Sequence, residues 1–168
     1  VEGTLDLPPI LLSAHMDTVE PSCGKRAVIH DDGRITSDGK TALGADDLSG
    51  VAAILEALTV IKSPDFNIKH RPIEVLFDSA EEVYCDGIRN FDFSMLKSKE
   101  AYVFDLSESV GYAANEAPAI ISFKADFTGR AAHAAFTPDE GIHAIKTAAA
   151  AVSQIKCGHV DNTTVNIG

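Results

Sequence analysis

Three short apolar runs, at residues 10–13, 73–77 and 101–104, most constrain what this chain can become, because each leads into residues able to bind a metal. The first, Ile10-Leu11-Leu12-Ser13, runs into Ala14-His15-Met16-Asp17-Thr18. The second runs into Asp78-Ser79-Ala80-Glu81-Glu82, and the third stops at Asp105. Short continuous apolar runs suit strands buried on both faces, as in a parallel sheet. Between the first two, Val51, Ile54, Leu55, Leu58 and Ile61 recur at helical spacing, with Ser49 or Asp47 placed to cap the start and Pro64 just past the end. A weaker helical pattern, at about 86–97, separates the second run from the third. The order strand, helix, strand, helix, strand predicts an α/β fold, a mostly parallel sheet with flanking helices. In such sheets sites form at the carboxyl ends of strands. His15, Glu81, Glu82 and Asp105 fall at three such ends, and Asp46 just before the helix.

The remaining segments read differently. Ala27-Val28-Ile29-His30 and Arg34-Ile35-Thr36-Ser37 flank Asp31-Asp32-Gly33, which predicts a hairpin. After Asn115 the texture changes. Residues 119–128 alternate, with Ile121, Phe123, Ala125 and Phe127 against Ser122, Lys124, Asp126 and Thr128, which predicts a half-solvated antiparallel strand. Residues 138–155 predict a helix with Ile142, Ile145, Ala149 and Val152 on its apolar stripe, Thr137 as N-cap, Pro138 in the first turn and Gly158 at the far end. A domain boundary is expected near residues 115–118, dividing 1–116 from 117–168.

Charge narrows the partners. The net charge of −11, with no basic stripe to neutralise phosphates, excludes nucleic acid. No apolar run approaches the length that spans a bilayer, so no membrane partner is expected. Cys23, Cys85 and Cys157 lie far apart, which suits free thiols in a reducing, cytoplasmic compartment. The chain opens at Val1 in what reads as a linker and closes in what reads as a strand just beginning, so both ends read as cut.

One histidine and four carboxylates at element ends make a donor set of nitrogen and oxygen that suits Zn²⁺, Mn²⁺ or Co²⁺. Glu81-Glu82 allows a division of labour. Adjacent side chains at a strand end diverge, so one can bind a metal while the other takes a proton from water. Each piece also has a structural reading. His15-x-Asp17 can end a strand, Asp46-Asp47 can cap a helix near its positive dipole end, Glu81-Glu82 can be solvated surface, and Asp105 can be a turn residue.

Five ordered motifs carry a family resemblance. Ser13-Ala14-His15-Met16-Asp17-Thr18, Leu43-Gly44-Ala45-Asp46-Asp47-Leu48-Ser49-Gly50, Ser79-Ala80-Glu81-Glu82-Val83, Tyr102-Val103-Phe104-Asp105 and Gly129-Arg130-Ala131-Ala132-His133-Ala134 run in the family's order. On them the chain resembles the M20 metallopeptidases and, among these, the peptidase T-like aminopeptidases, from about Pro9 to Gly168. The resemblance implies two divalent ions, Zn²⁺ first, with Co²⁺ or Mn²⁺ as alternatives. His15, Asp46 and Asp105 would hold one ion, with Asp17 orienting the imidazole. Asp46 would bridge to the second ion, Glu82 would bind that second ion, and Glu81 would be the general base and acid. A cis peptide between Asp46 and Asp47 is implied. Residues 1–116 would be the N-terminal part of a catalytic domain and 117–168 the first part of an α+β lid, or dimerisation, domain. His133 would reach the active site of the other subunit in a homodimer and steady the oxyanion. Short peptides trimmed from the amino end would be the substrates. The alternatives are an M20-type amidohydrolase acting on N-acyl amino acids and a non-catalytic homologue. Two departures stand out: Leu48 takes a place where the family often has lysine, and the family's final histidine ligand has no counterpart among His30, His70, His143 and His159. These four read as surface residues.

Overall fold

The structure, a computed structural model, describes residues 1–168 and divides into two compact units, Val1–Pro118 and Ala119–Gly168. The first unit contains, in chain order, β1 (Ile10–His15), β2 (Ala27–Ile29), β3 (Ile35–Ser37), α1 (Ala45–Lys62), β4 (Ile73–Asp78), α2 (Asp86–Arg89) and β5 (Ala101–Val103). The sheet has the order β4-β1-β5 and both pairings are parallel. The expected α/β architecture is therefore present.

The most apolar run takes the central place. Leu11 through His15 are all buried, because β1 has a strand on each side and α1 across it. Leu12, Ala14, Ile54 and Ile73 form the buried core, with Ile10, Val51, Leu58, Ile61, Val75 and Phe77 packed around it. Ile54, fully buried, stabilises the helix–sheet contact by about 1.5–3 kcal/mol. The register sets His15 opposite Asp78, so β1 and β4 deliver their last residues to one rim. The predicted hairpin is β2–β3, with Ala27 opposite Ser37.

The expected helix at about 86–97 is replaced by two shorter pieces, α2 and a 3-10 turn at Phe93–Met95. Side chains there compete for the backbone. Asn90 Nδ2 donates to the Asp86 carbonyl at 2.9 Å, and Asp92 Oδ1 accepts from Ser94 N at 3.0 Å, which starts the second turn.

The second unit holds a 3-10 turn at Pro138–Glu140, α3 (Ala144–Val152) and an antiparallel hairpin of β6 (Gly158–Val160) with β7 (Thr163–Val165). Three expectations change here. No strand forms over residues 119–128, because no segment supplies the backbone partner a strand requires; Ile121 and Phe123 stay 86% and 79% exposed. The helix expected over 138–155 begins six residues late. Ile142 instead exchanges two backbone hydrogen bonds with Arg130, at 3.0 and 2.9 Å, which holds Gly141 extended between the 3-10 turn and α3. Thr137 makes no side-chain cap, since its Oγ1 accepts from His133 N at 3.3 Å. Gly158 opens β6 with φ +84° and does not terminate the helix, which ends at Val152. No helix is long and apolar enough to cross a membrane.

Candidate metal centre

His15 ends β1 with its ring 2% exposed. Its Nδ1 lies 2.9 Å from the backbone carbonyl of Asp17, an acceptor only, so Nδ1 carries a proton and Nε2 is the outward nitrogen. Nε2 is 3.0 Å from Asp46 Oδ1 and 3.8 Å from Glu81 Oε2. Burial alone would lower the imidazole pKa, but the Asp46 hydrogen bond, the charges of Asp105 and Glu81 and the Asp17 carbonyl together raise it above 6.5. A cation at Nε2 therefore competes with a proton held by the same carboxylates.

Asp17 divides its groups in a way the sequence did not reveal. The carbonyl holds the imidazole, and the carboxylate lies farther off, 3.4 Å from Nδ1. That carboxylate instead accepts from Glu81 N and Glu82 N, each at 3.1 Å. These two bonds outweigh the burial that would raise its pKa, and hold it below 3.8. One residue thus ties the His15 corner to the Glu81–Glu82 turn, which leaves β4 through Ala80 at φ 58°.

Asp46 and Asp47 open α1 with non-helical backbone, joined by a cis peptide as the resemblance implied. Gly44 precedes them at φ +80°, and a Cβ there would also meet Thr18 Cγ2 at 2.8 Å, so glycine is required on both counts. Asp46 turns outward to His15. Asp47 turns inward and caps the helix, its Oδ1 accepting from Gly50 N at 3.1 Å. Burial raises the Asp47 carboxyl above 3.8.

Two donor groups result. Single ligand atoms of His15, Asp46 and Glu82 lie within 4.8 Å of one another, and so do those of His15, Asp47 and Asp105. Asp105 follows the end of β5. Desolvation, then the charges of Asp46 and Asp47, push its carboxyl up to about 6. Carboxylates gathered this closely repel unless a proton or a cation lies among them. The imidazole nitrogen and carboxylate oxygens are the donors that divalent Zn²⁺, Mn²⁺ or Co²⁺ take, so the residues present fit a metal.

His15, Asp17, Asp46, Glu81, Glu82 and Asp105 all belong to this rim of the first unit. His133 belongs to the second unit. Its Nδ1 accepts from Ala135 N and Phe136 N, both at 3.2 Å, and its ring packs 4.5 Å from that of Phe136. Nδ1 as acceptor leaves the proton on Nε2. Sequence reasoning left Asp47 as one of two alternative caps and passed over Cys85, whose Sγ lies 3.5 Å from Glu81 Oε1. Adjacency to Asp46 was the signal for the first; a spacing of four from Glu81 was the signal for the second.

The model of peptidase family M20/M25/M40 matches residues 11–167. An uncharacterised Bacillus subtilis protein, YqjE, is 38% identical over 169 aligned residues, covering 100% of this chain and 45% of its own length. Peptidase T of Citrobacter koseri is 48% identical over 71 residues, 42% of this chain and 17% of that protein. The crystal structure of a Staphylococcus aureus tripeptidase superposes with a TM-score of 0.78 at 35% identity, over 100% of this chain and 44% of that one. The aminopeptidase PepT of Bacillus cereus gives a TM-score of 0.70 at 32% identity, over 96% of this chain and 43% of that one. The chain spans about half the length of these full-length relatives. With the match running from β1 to the last hairpin, the chain belongs to peptidase family M20 and is peptidase T-like.

Proposed function

We propose that this chain forms the metal-binding part of an exopeptidase that removes residues from the amino end of short peptides, with water as the nucleophile. The observation that carries the reading is the convergence of His15, Asp46, Glu82 and Asp105 on the carboxyl rim of a parallel sheet, with Glu81 3.8 Å from His15 Nε2. His15, Asp46 and Asp105 would hold one divalent ion, and Asp46 with Glu82 a second. When bound, such ions polarise a carbonyl and lower the pKa of water toward neutrality. Glu81 takes the water's proton and returns it to the leaving amine. Asp17 keeps Glu81 at that station through the two backbone N–H bonds it accepts. Peptides are favoured over N-acyl amino acids by the tripeptidase and aminopeptidase names of the relatives.

The second unit is read as part of a lid that also dimerises the protein. What supports this is His133, held by its own turn with an Nε2–H free to donate to an oxyanion in a partner copy's site. Three well-separated free cysteines support a cytoplasmic setting.

The test uses the full-length protein. Glu81→Gln should keep its metal, measured by elemental analysis, and lose about 10²- to 10⁴-fold in tripeptide hydrolysis. Full activity in that variant sinks Glu81 as base. Absence of any metal uptake by the unmodified protein leaves a plain α/β domain.

A further inference from the structure

We infer that Cys85 is a positioning residue for the hydrolysis: its thiol donates to Glu81 Oε1 and so reserves Oε2 as the oxygen that takes the water's proton. The inference rests on the reading of Glu81 as base given above, and it adds a residue that lies outside the five motifs.

The Glu81 carboxylate is divided between two directions. Oε2 lies 3.8 Å from His15 Nε2, on the side where the metal donors converge. Oε1 accepts from the Cys85 thiol at 3.5 Å, and no other group donates to this carboxylate. Asp17 fixes the backbone N–H groups of Glu81 and Glu82, which leaves the Glu81 side chain its own rotamers. A base must be held close to its productive geometry, and small misplacements slow the reaction. The thiol is the one tie that selects a rotamer here.

The backbone is shaped to deliver it. Cys85 N donates to the Glu81 carbonyl at 2.8 Å, and Asp86 N to the Ala80 carbonyl at 2.9 Å, which closes the turn beneath the pair. Ala80, Tyr84 and Cys85 stand at φ 58°, 65° and 56°, left-handed values that non-glycine residues keep only where their surroundings enforce them. Gly87 lets the turn close on the end of β4, since a Cβ there would stand 1.8 Å from the Ser79 carbonyl oxygen. Burial, then the hydrogen bond and charge of Glu81, raise the thiol above its ordinary value. At neutral pH it therefore keeps its proton and remains a donor.

The test uses the full-length protein, with tripeptide hydrolysis, metal content by elemental analysis and thermal unfolding as readouts. Cys85→Ala, Cys85→Ser, Glu81→Gln and the double variant of Cys85→Ala with Glu81→Gln are compared with the unmodified protein. Cys85→Ala should lower kcat about 3- to 10-fold, with KM and metal content unchanged. Cys85→Ser keeps a hydroxyl donor and should recover part of that loss. Added to Glu81→Gln, Cys85→Ala should cost nothing further, because it acts only through the carboxylate. Cys85→Gly takes the place of Cys85→Ala if that variant fails to fold, since glycine suits a φ of 56°. Unchanged kcat in a folded Cys85→Ala, with Glu81→Gln impaired, overturns the inference and leaves Glu81 standing as base. An equal loss from Cys85→Ala in both backgrounds also overturns it, since Cys85 then only supports the fold. Full activity in Glu81→Gln removes the base and this inference together.

Discussion

Residues 1–118 and 119–168 both carry apolar patterning and reach different ends. In the first unit α1 presents Ile54 to β1 and buries it completely. In the second, α3 also has an apolar stripe, of Ile145, Ala149 and Val152, yet Ile145 is 86% exposed and no residue of the unit is buried. The first unit has a strand on each side of β1 and a helix across it. The second has one short hairpin, one helix and one isolated bridge. Periodicity states which face is apolar. Burial needs a second element of matching length, and within residues 119–168 the short hairpin and the bridge leave α3 uncovered.

The comparison can be broken most directly at those two isoleucines. Ile54→Ala should destabilise the metal-free protein by about 2–5 kcal/mol in urea unfolding. Ile145→Ala should change it by no more than about 0.5 kcal/mol. An equal loss at both positions would mean that the second unit has a core of its own. A smaller loss is expected at Gly50. The added methyl of Gly50→Ala meets the Asp47 carboxylate and the Phe104 carbonyl, so about 1–3 kcal/mol should be lost in the same measurement.

Polar ties sharpen the contrast at the small end. Glu74 on β4 accepts from the Ser98 hydroxyl and from the backbone N–H groups of Lys97 and Ser98, which together hold its carboxyl below 4.5. A depressed folded pKa contributes stability above the unfolded value and loses it as the pH falls through the folded one. Glu74→Gln should therefore lower the melting temperature slightly at pH 7, with the difference closing at pH values below 4.5. In the second unit Lys124 and Asp126 pair at 3.2 Å with both side chains more than 70% exposed. Asp126→Asn should leave the melting temperature unchanged at either pH.

The sheet was legible because its strands are short and mostly apolar, although only β1 is buried on both faces as the pattern predicts; β4 is half-buried beyond Ile73, and β5, at the sheet edge with no helix over it, is exposed. The site was legible for a related reason. His15, Asp46, Glu81, Glu82 and Asp105 follow apolar runs or precede a helix, so the elements themselves imply a common rim. The strand at 119–128 was misread because alternation describes one partner of a pair, and the pairing is not a local property. The helix at 138–155 was misread because a backbone exchange with Arg130 claims Ile142 before the helical pattern can use it.

Order along the chain was enough to determine the α/β class, the parallel sheet, the family and the residue types of the centre, since all of these follow from local pattern and motif. Tertiary structure alone decided how each group is used. It gave the imidazole of His15 to the Asp17 carbonyl, sent the Asp17 carboxylate to the Glu81–Glu82 backbone, and turned Asp47 inward beside Gly50 while Asp46 faced His15. Sequence spacing names the donors and acceptors available. Which of them meet depends on the direction of each bond at the end of a packed element, and that direction exists only once the element is packed.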